Sequence, residues 1–300
     1  MILIADSGST KTDWTLVPDR LVGGSTVAIT TQGITPVHQT PETIRKILEQ
    51  ELMPQIAGYV ESLSSVFFYG SGCSPAHIPV MQQLLRETLN LTGEQTPCEA
   101  PLTEGLSPCE QVYVASDLMA AARALCGHEQ GIACILGTGA NSCLYDGEGI
   151  VQNTPALGYI LGDEGSGAVL GRMFMNAIFK DPAFVEIRDA YLEEQQLTMA
   201  DVIRRVYREP MANRFLASTS LFIGKHIDNP LLHALVTENF RQFFRCNIVP
   251  YGRPELPVHF VGSMASHYQP QLYEAAAAEG FTIGRILKSP MDGLVTYHRG

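Results

Sequence analysis

The sequence predicts an α/β protein made of two similarly built halves, and three observations point there. An apolar run, a small polar loop and a second strand open the chain as ILIADSGSTKTDWTLV. The same layout returns near the middle as ACILGTGANSCLYDG. SVFFYGSGCSPA and PVHFVGSMASHY then share an apolar strand, a Gly-Ser turn and a helix start, in the same place within each half. Together they predict a duplicated β-β-β-α-β-α-β-α unit with mixed sheets, each copy facing the other across a ligand cleft.

The elements follow in order. Residues 2–5, 13–17 and 25–33 read as three successive strands, the last rich in β-branched residues. Residues 40–52 show helical periodicity behind a threonine cap and an early proline. Residues 65–72 form a buried strand ending in glycine, and 78–91 a helix. Residues 112–117 form a strand that runs into the alanine-rich helix 118–126. Residues 131–152 read as strand, glycine-rich turn, strand, DGEG turn and strand. Helical stretches follow around 183–207 and 231–247, and 258–268 reads as strand, Gly-Ser turn and helix start. The expected domains are 1–116 and 117–300.

Three hundred residues suit two domains, and a 45% hydrophobic content is that of an ordinary globular protein. The net charge of −11 leaves no basic surplus to neutralise a nucleic-acid backbone, so no nucleic-acid partner is expected. Met1 leads into apolar residues and then Asp6, without the basic region and longer apolar run of a signal peptide. No stretch approaches a membrane-spanning length, so no membrane partner is expected. The seven cysteines, at 73, 98, 109, 126, 134, 143 and 246, are odd in number and lack C-x-x-C spacing. That pattern disfavours a disulfide framework or a zinc site and fits a reducing cytoplasm.

Five segments carry candidate chemistry. In the opening loop, Gly8, Ser9 and Thr10 offer backbone amides and hydroxyls, Lys11 a positive charge, and Asp6 a carboxylate for hydrated Mg²⁺. The segment reads either as a plain hairpin turn or as a phosphate loop. Strand rather than helix follows it, unlike a P-loop. Gly137, Thr138 and Gly139 repeat the same physics. Asp117, where strand becomes helix, reads either as an N-cap or as a general base anchored for phosphoryl transfer. Residues 157–172 carry Gly158, Gly162, Gly165, Gly167 and Gly171 beside Asp163. Backbone lying close to a ligand, with Asp163 accepting hydrogen bonds from hydroxyls, is the preferred reading, with close helix packing as the rival. Gly262 and Ser263 follow a strand as a nucleotide-binding turn would.

D-x-G-S-T-x-T after the first strand, G-T-G-x-N-S after a later one, and G-D-E-G-S together resemble the ATPase superfamily of actin, heat-shock chaperones and sugar kinases. Within it the chain resembles the BadF/BadG/BcrA/BcrD-type ATPases and the N-acetylglucosamine kinases, over essentially its whole length. The resemblance implies two RNase-H-like, actin-like ATPase domains with ATP and Mg²⁺ in the cleft. It puts Asp6 at the metal position and Gly8, Ser9, Thr10 and Lys11 in a first phosphate loop. Gly137, Thr138 and Gly139 fall in a second, and Gly262 and Ser263 at the adenosine position. Asp117 matches the catalytic aspartate, and Asn141, Gly158 and Asp163 match the sugar site. Thr35 or Pro36, in GITP, stands where mammalian-type members carry a sugar-binding asparagine, and Ala156-Leu157 replaces their Gly-Trp.

The implied activity is ATP-dependent transfer of the γ-phosphoryl group to a hydroxyl, O6, of N-acetylglucosamine or a related amino sugar. N-acetylmuramic acid, glucosamine and other hexoses stay open, and so does a homodimer. Two rival readings are an ATPase that activates an iron–sulfur dehydratase and a sugar or nucleotide sensor without turnover. The scattered cysteines disfavour the first.

Overall fold

The computed structural model describes residues 1–18, 25–91 and 111–299. Cys98 and Cys109 lie outside them. The chain divides into two compact units. One comprises Met1–His128, Asp146–Gly149 and Pro290–Gly300; the other comprises Glu129–Tyr145 and Ile150–Ser289. The helix Asp117–Cys126 thus packs in the first unit, whereas the sequence boundary after residue 116 had it open the second.

In the first unit, strands β1 (Ile2–Ser7), β2 (Lys11–Val17), β3 (Val27–Gln32), β4 (Ser65–Gly70) and β5 (Val112–Ser116) form one sheet, ordered β3-β2-β1-β4-β5. The first three strands pair antiparallel as a meander. β4 and β5 add in parallel on the other side of β1. In the second unit, β6 (Gly131–Leu136), β7 (Ala140–Tyr145), β8 (Ile150–Thr154), β9 (Val258–Val261) and β10 (Ile283–Leu287) are ordered β10-β9-β6-β7-β8. Their pairings match the first sheet strand for strand. The two echoes in the sequence are therefore the two copies of one mixed sheet.

Helices cover both faces of the first sheet, which is why β4 reads as the apolar run SVFFYG rather than as an alternation. On one face Leu3, Ala5, Trp14 and Phe68 join Ile44, Met81 and Leu84 from the helices Pro41–Ile47 and Ile78–Thr88. Trp14 is fully buried, and its indole N–H donates to Thr31 Oγ1 at 3.0 Å. The helix Asp117–Cys126 packs on β4, β5 and the C-terminal helix Met291–Arg299. A Cβ on Gly293 would overlap the Ala124 carbonyl, so that glycine sets how closely the two helices approach.

Arg123 fastens this arrangement. It is 2% exposed, and its guanidinium lies 4.5 Å from the Tyr113 ring centre and 5.1 Å from that of Tyr297. Nη1 donates to Tyr69 Oη at 2.8 Å, and Tyr69 Oη lies 2.8 Å from His298 Nε2. Burial first, and Arg123 second, hold His298 down at about 3, so its imidazole is neutral. No carboxylate pairs with Arg123 among the described residues; aromatic faces take that place.

The second unit departs from the expected helices in three ways. The stretch 183–207 is two helices, Val185–Gln195 and Met199–Tyr207. They break at Gln196, which has φ 50°, and the second is restarted by a Thr198–Asp201 capping box. A further helix, Ala212–Lys225, lies between the two expected helical stretches. The third concerns the glycines of residues 157–172. A Cβ on Gly171 would overlap the Leu216 carbonyl, and one on Gly167 would meet the Ala217 Cβ at 3.2 Å. These two glycines let the helices Gly167–Lys180 and Ala212–Lys225 cross closely, as the helix-packing alternative expects.

Gly171→Ala should therefore wedge the two helices apart and lower stability by about 1–3 kcal/mol. A denaturant midpoint equal to that of the parent chain would show that the contact does not matter.

Candidate functional site

Residues of the first unit converge at the C-terminal ends of parallel strands, where open α/β sheets place their ligands. β1 delivers Asp6 and Ser7, and the chain then turns through Gly8, Ser9 and Thr10 into β2. The Gly8 N–H closes the turn on the Lys11 carbonyl at 3.0 Å. Two buried hydroxyls, Ser7 Oγ and Thr12 Oγ1, lie 2.6 Å apart beneath it, and the Ile34 N–H donates to both. Gly33 presses on the loop from the end of β3. A Cβ there would come within 2.7 Å of the Thr10 nitrogen, while the Gly33 N–H donates to the Thr10 carbonyl. The loop is clamped from below, and its outer residues, Gly8, Ser9 and Thr10, are exposed. The Lys11 ammonium lies 2.5 Å from Asp13.

The helix that follows β5 is capped by Ser116, whose hydroxyl accepts the Met119 N–H at 3.2 Å. Asp117 is the first residue inside the helix. This corrects the capping alternative: the cap exists, but the neighbouring serine makes it. Burial pushes the Asp117 carboxyl up against the opposing pull of the Leu118 N–H. Asp6 is pushed up to about 7, by burial first, then by the charges of Asp117 and Asp13. The Cys73 thiol, also raised by burial, feels Asp117 as well.

Two oxygen-donor side chains thus share one pocket of negative charge. That suits Mg²⁺, which typically takes one or two carboxylates and completes its shell with phosphate oxygens and water. No group of three metal-ligating side chains occurs among the described residues, so the protein alone would not fill that shell.

In the second unit the loop Gly137–Gly139 joins β6 to β7. Its carbonyls accept from the first turn of the helix Gly167–Lys180, Gly137 from Gly167 at 2.8 Å and Thr138 from Ala168 at 3.1 Å. Gly262 has φ 123°, and a Cβ there would overlap the Leu136 carbonyl, so the turn after β9 lies against the start of this loop. Ser263 is exposed and opens a short helix.

Asp163 sits at φ 55° with its Oδ2 where a Cβ on Gly139 would lie 3.0 Å away. Burial raises it to about 6, against hydrogen bonds from the Ala140 and Gly158 backbones. Asn141 follows Ala140, and its Oδ1 accepts from the Ser142 N–H and from Asn153 Nδ2, both at 2.9 Å. The second unit therefore gathers Gly137, Thr138, Gly139, Asn141, Gly158, Asp163 and Gly262 in one neighbourhood. Thr35 belongs to the first unit, where it is 6% exposed. Its methyl faces Gly72, and its N–H donates to Gln39 at 2.8 Å.

Sequence reasoning missed several supports. The Ser7–Thr12 pair and Gly33 brace the first loop. Fully buried Asn239 braces GDEGS, accepting the Gly165 N–H at 3.1 Å and donating to the Ser166 carbonyl at 3.3 Å. The one available signal was a polar residue between Val236 and Phe240 on an apolar helix face.

No protein-family model matches the chain, and no curated protein matches it. Solved structures do. A protein of Porphyromonas gingivalis, provisionally assigned as an N-acetylglucosamine kinase, is 44% identical over 100% of this chain and 99% of its own, with a TM-score of 0.86. A Chromobacterium violaceum protein with the same provisional assignment is 19% identical over 99% of this chain and 98% of its own, at 0.65. A hexokinase of Thermus thermophilus is 14% identical over 99% of this chain and 96% of its own, at 0.50. The last two likenesses concern the fold alone.

A carboxyl raised in the folded state binds protons that the unfolded chain has released. The contribution of Asp6 is therefore complete below its ordinary 3.8 and is lost as pH rises through about 7. Without nucleotide or divalent cation, Asp6→Asn should melt above the parent chain at alkaline pH, with the gap closing towards pH ~4. Thermal melts across pH check this, and a gap that does not vary with pH would contradict it.

Proposed function

Because the chain belongs to the N-acetylglucosamine kinase-like branch of the actin-like ATPase and sugar-kinase superfamily, we propose that it transfers the γ-phosphoryl group of ATP to an amino-sugar hydroxyl. The acceptor is O6 of N-acetylglucosamine or a close relative. The observation that carries the reading is the Ser116 cap. It relieves Asp117 of a structural task and leaves a half-buried carboxylate, raised above its ordinary range, beside Asp6.

In this reading Asp117 accepts the proton of the sugar hydroxyl as that oxygen attacks the γ-phosphorus in line. Asp6 holds Mg²⁺, which when bound neutralises charge on the phosphates. The loops Gly8, Ser9, Thr10 and Gly137, Thr138, Gly139 lie against the phosphates, their backbone dipoles held in place by the Gly8–Lys11 and Gly137–Gly139 hydrogen bonds that close each turn. Lys11 adds a cation once it leaves Asp13, and Gly262 and Ser263 meet the nucleoside. Asp163, Asn141 and Gly158 take the sugar from the second unit, and Thr35 is the sugar contact assigned to the first. The chain is then a cytoplasmic enzyme.

Asp117→Asn should lower turnover by roughly 10²–10⁴-fold while ATP binding, read by calorimetry, stays nearly intact. Turnover at the parent rate would remove the base from Asp117. Asp163 ionises near 6, and its ionised form accepts from hydroxyls about twice as strongly as its protonated form. The KM for sugar should therefore rise as pH falls below about 6, and Asp163→Asn should flatten that profile. A parent KM that is flat across this range would exclude Asp163 from the sugar.

A further inference from the structure

The motif GDEGS carries two carboxylates, and the kinase reading uses only Asp163. Its neighbour Glu164 is half-buried and accepts a hydrogen bond from Asn247 Nδ2 at 3.2 Å. Asn247 is 5% exposed and belongs to a π-helical turn, Phe244–Ile248, that continues the helix Pro230–Phe243. Asn239, on that helix, already holds Gly165 and Ser166. An α-helix turns about 100° per residue, so eight α-helical residues would carry Asn247 about 80° past Asn239. A π turn takes one residue more, which brings the two side chains back to one face and against one loop.

What they hold is strained. Asp163 takes φ 55°, a left-handed conformation that a residue other than glycine keeps only where its surroundings over-determine it. Its N–H donates to the Ala156 carbonyl, and its carbonyl accepts from the Ser166 N–H, both at 3.0 Å. Asn239 and Asn247 fix the residues that follow it. The hold extends to the other side of the sugar site. The Asn247 carbonyl accepts from Thr154 Oγ1 at 3.0 Å, and the Thr154 N–H donates to Tyr251 Oη at 3.1 Å. Tyr251 Oη lies 2.7 Å from Ser142 Oγ, next to Asn141 in β7. Asn247 thus ties the Asp163 loop to the strands that carry Asn141.

We propose that Asn247 is a positioning residue for the sugar site, holding the Glu164 carboxylate beside Asp163 and so fixing the group that takes the sugar hydroxyls. The proposal rests on the reading of Asp163 as a sugar residue. Glu164 is the charged neighbour that acts on Asp163. Cys246 and Arg245 lie beyond it, and Arg245 is held by Glu238 and Glu279.

Asn247→Leu keeps the shape and removes the donor. It should raise the KM for sugar roughly 10-fold, the size of effect found between residues of one hydrogen-bonded network, with the KM for ATP unchanged. Glu164→Ala should do the same, and adding Asn247→Leu to it should raise KM no further. A lowered melting temperature with both KM values unmoved would leave Asn247 a merely structural role, and additive effects would break its link to Glu164; either result overturns the proposal. The pH profile is a second readout. A Glu164 released from Asn247 swings away from Asp163 or takes up a proton itself, so the pH below which KM rises, near 6 in the parent, should fall in Asn247→Leu. Thermal melts read the same shift without turnover, as the pH at which Asp163→Asn first departs in stability from the chain that keeps Asp163. An inflection that stays in place in Asn247→Leu overturns the proposal. A parent chain that phosphorylates no sugar refutes the kinase reading instead, and the melts still decide the role of Asn247.

Discussion

Two carboxylates that repel each other, Asp6 and Asp117, are held together by the backbone of the first unit, and the rest of its architecture serves that juxtaposition. β1 ends in Asp6, and β5 hands over to the helix that begins with Asp117. β4 runs parallel between them. Burial first, and the charge of Asp117 second, push Asp6 up to about 7. A proton or a cation must relieve the repulsion, and a site that demands a cation beside a phosphate-sized loop is suited to phosphoryl transfer.

The juxtaposition survives because its supports are rigid. Ser7 and Thr12 tie the loop to Ile34 underneath, and Gly33 lets β3 approach the loop backbone. On the helix, Arg123 docks among three tyrosines, two turns beyond Asp117, and His298 completes the chain of contacts from the C-terminal helix. A desolvated cation over aromatic faces is held by about 2 kcal/mol or more and adds no carboxylate to compete with those of the site. The residues that position Asp117 thus come from β4, β5 and the last helix, far apart in sequence.

Much of this was legible in the sequence, for a physical reason. A strand, a tight glycine loop and a second strand are local patterns, so both copies of the sheet could be read from ILIADSGSTKTDWTLV and ACILGTGANSCLYDG. What escaped was non-local. Whether Ser116 or Asp117 caps a helix depends on one residue of register between two good capping types. Whether Gly171 faces a ligand or Leu216 depends on a helix more than forty residues away. β10 pairs with β9, and the C-terminal helix Met291–Arg299 packs on the helix Asp117–Cys126, partners far away in sequence.

The most direct measurement is ADP release by the purified chain with ATP, Mg²⁺ and a panel of sugars, with the phosphorylated product identified by mass spectrometry. The account predicts ADP formed one for one with a sugar monophosphate, fastest with N-acetylglucosamine or a near relative, and none without sugar. ATP binding with no phosphorylation of N-acetylglucosamine, N-acetylmuramic acid or glucosamine would contradict it.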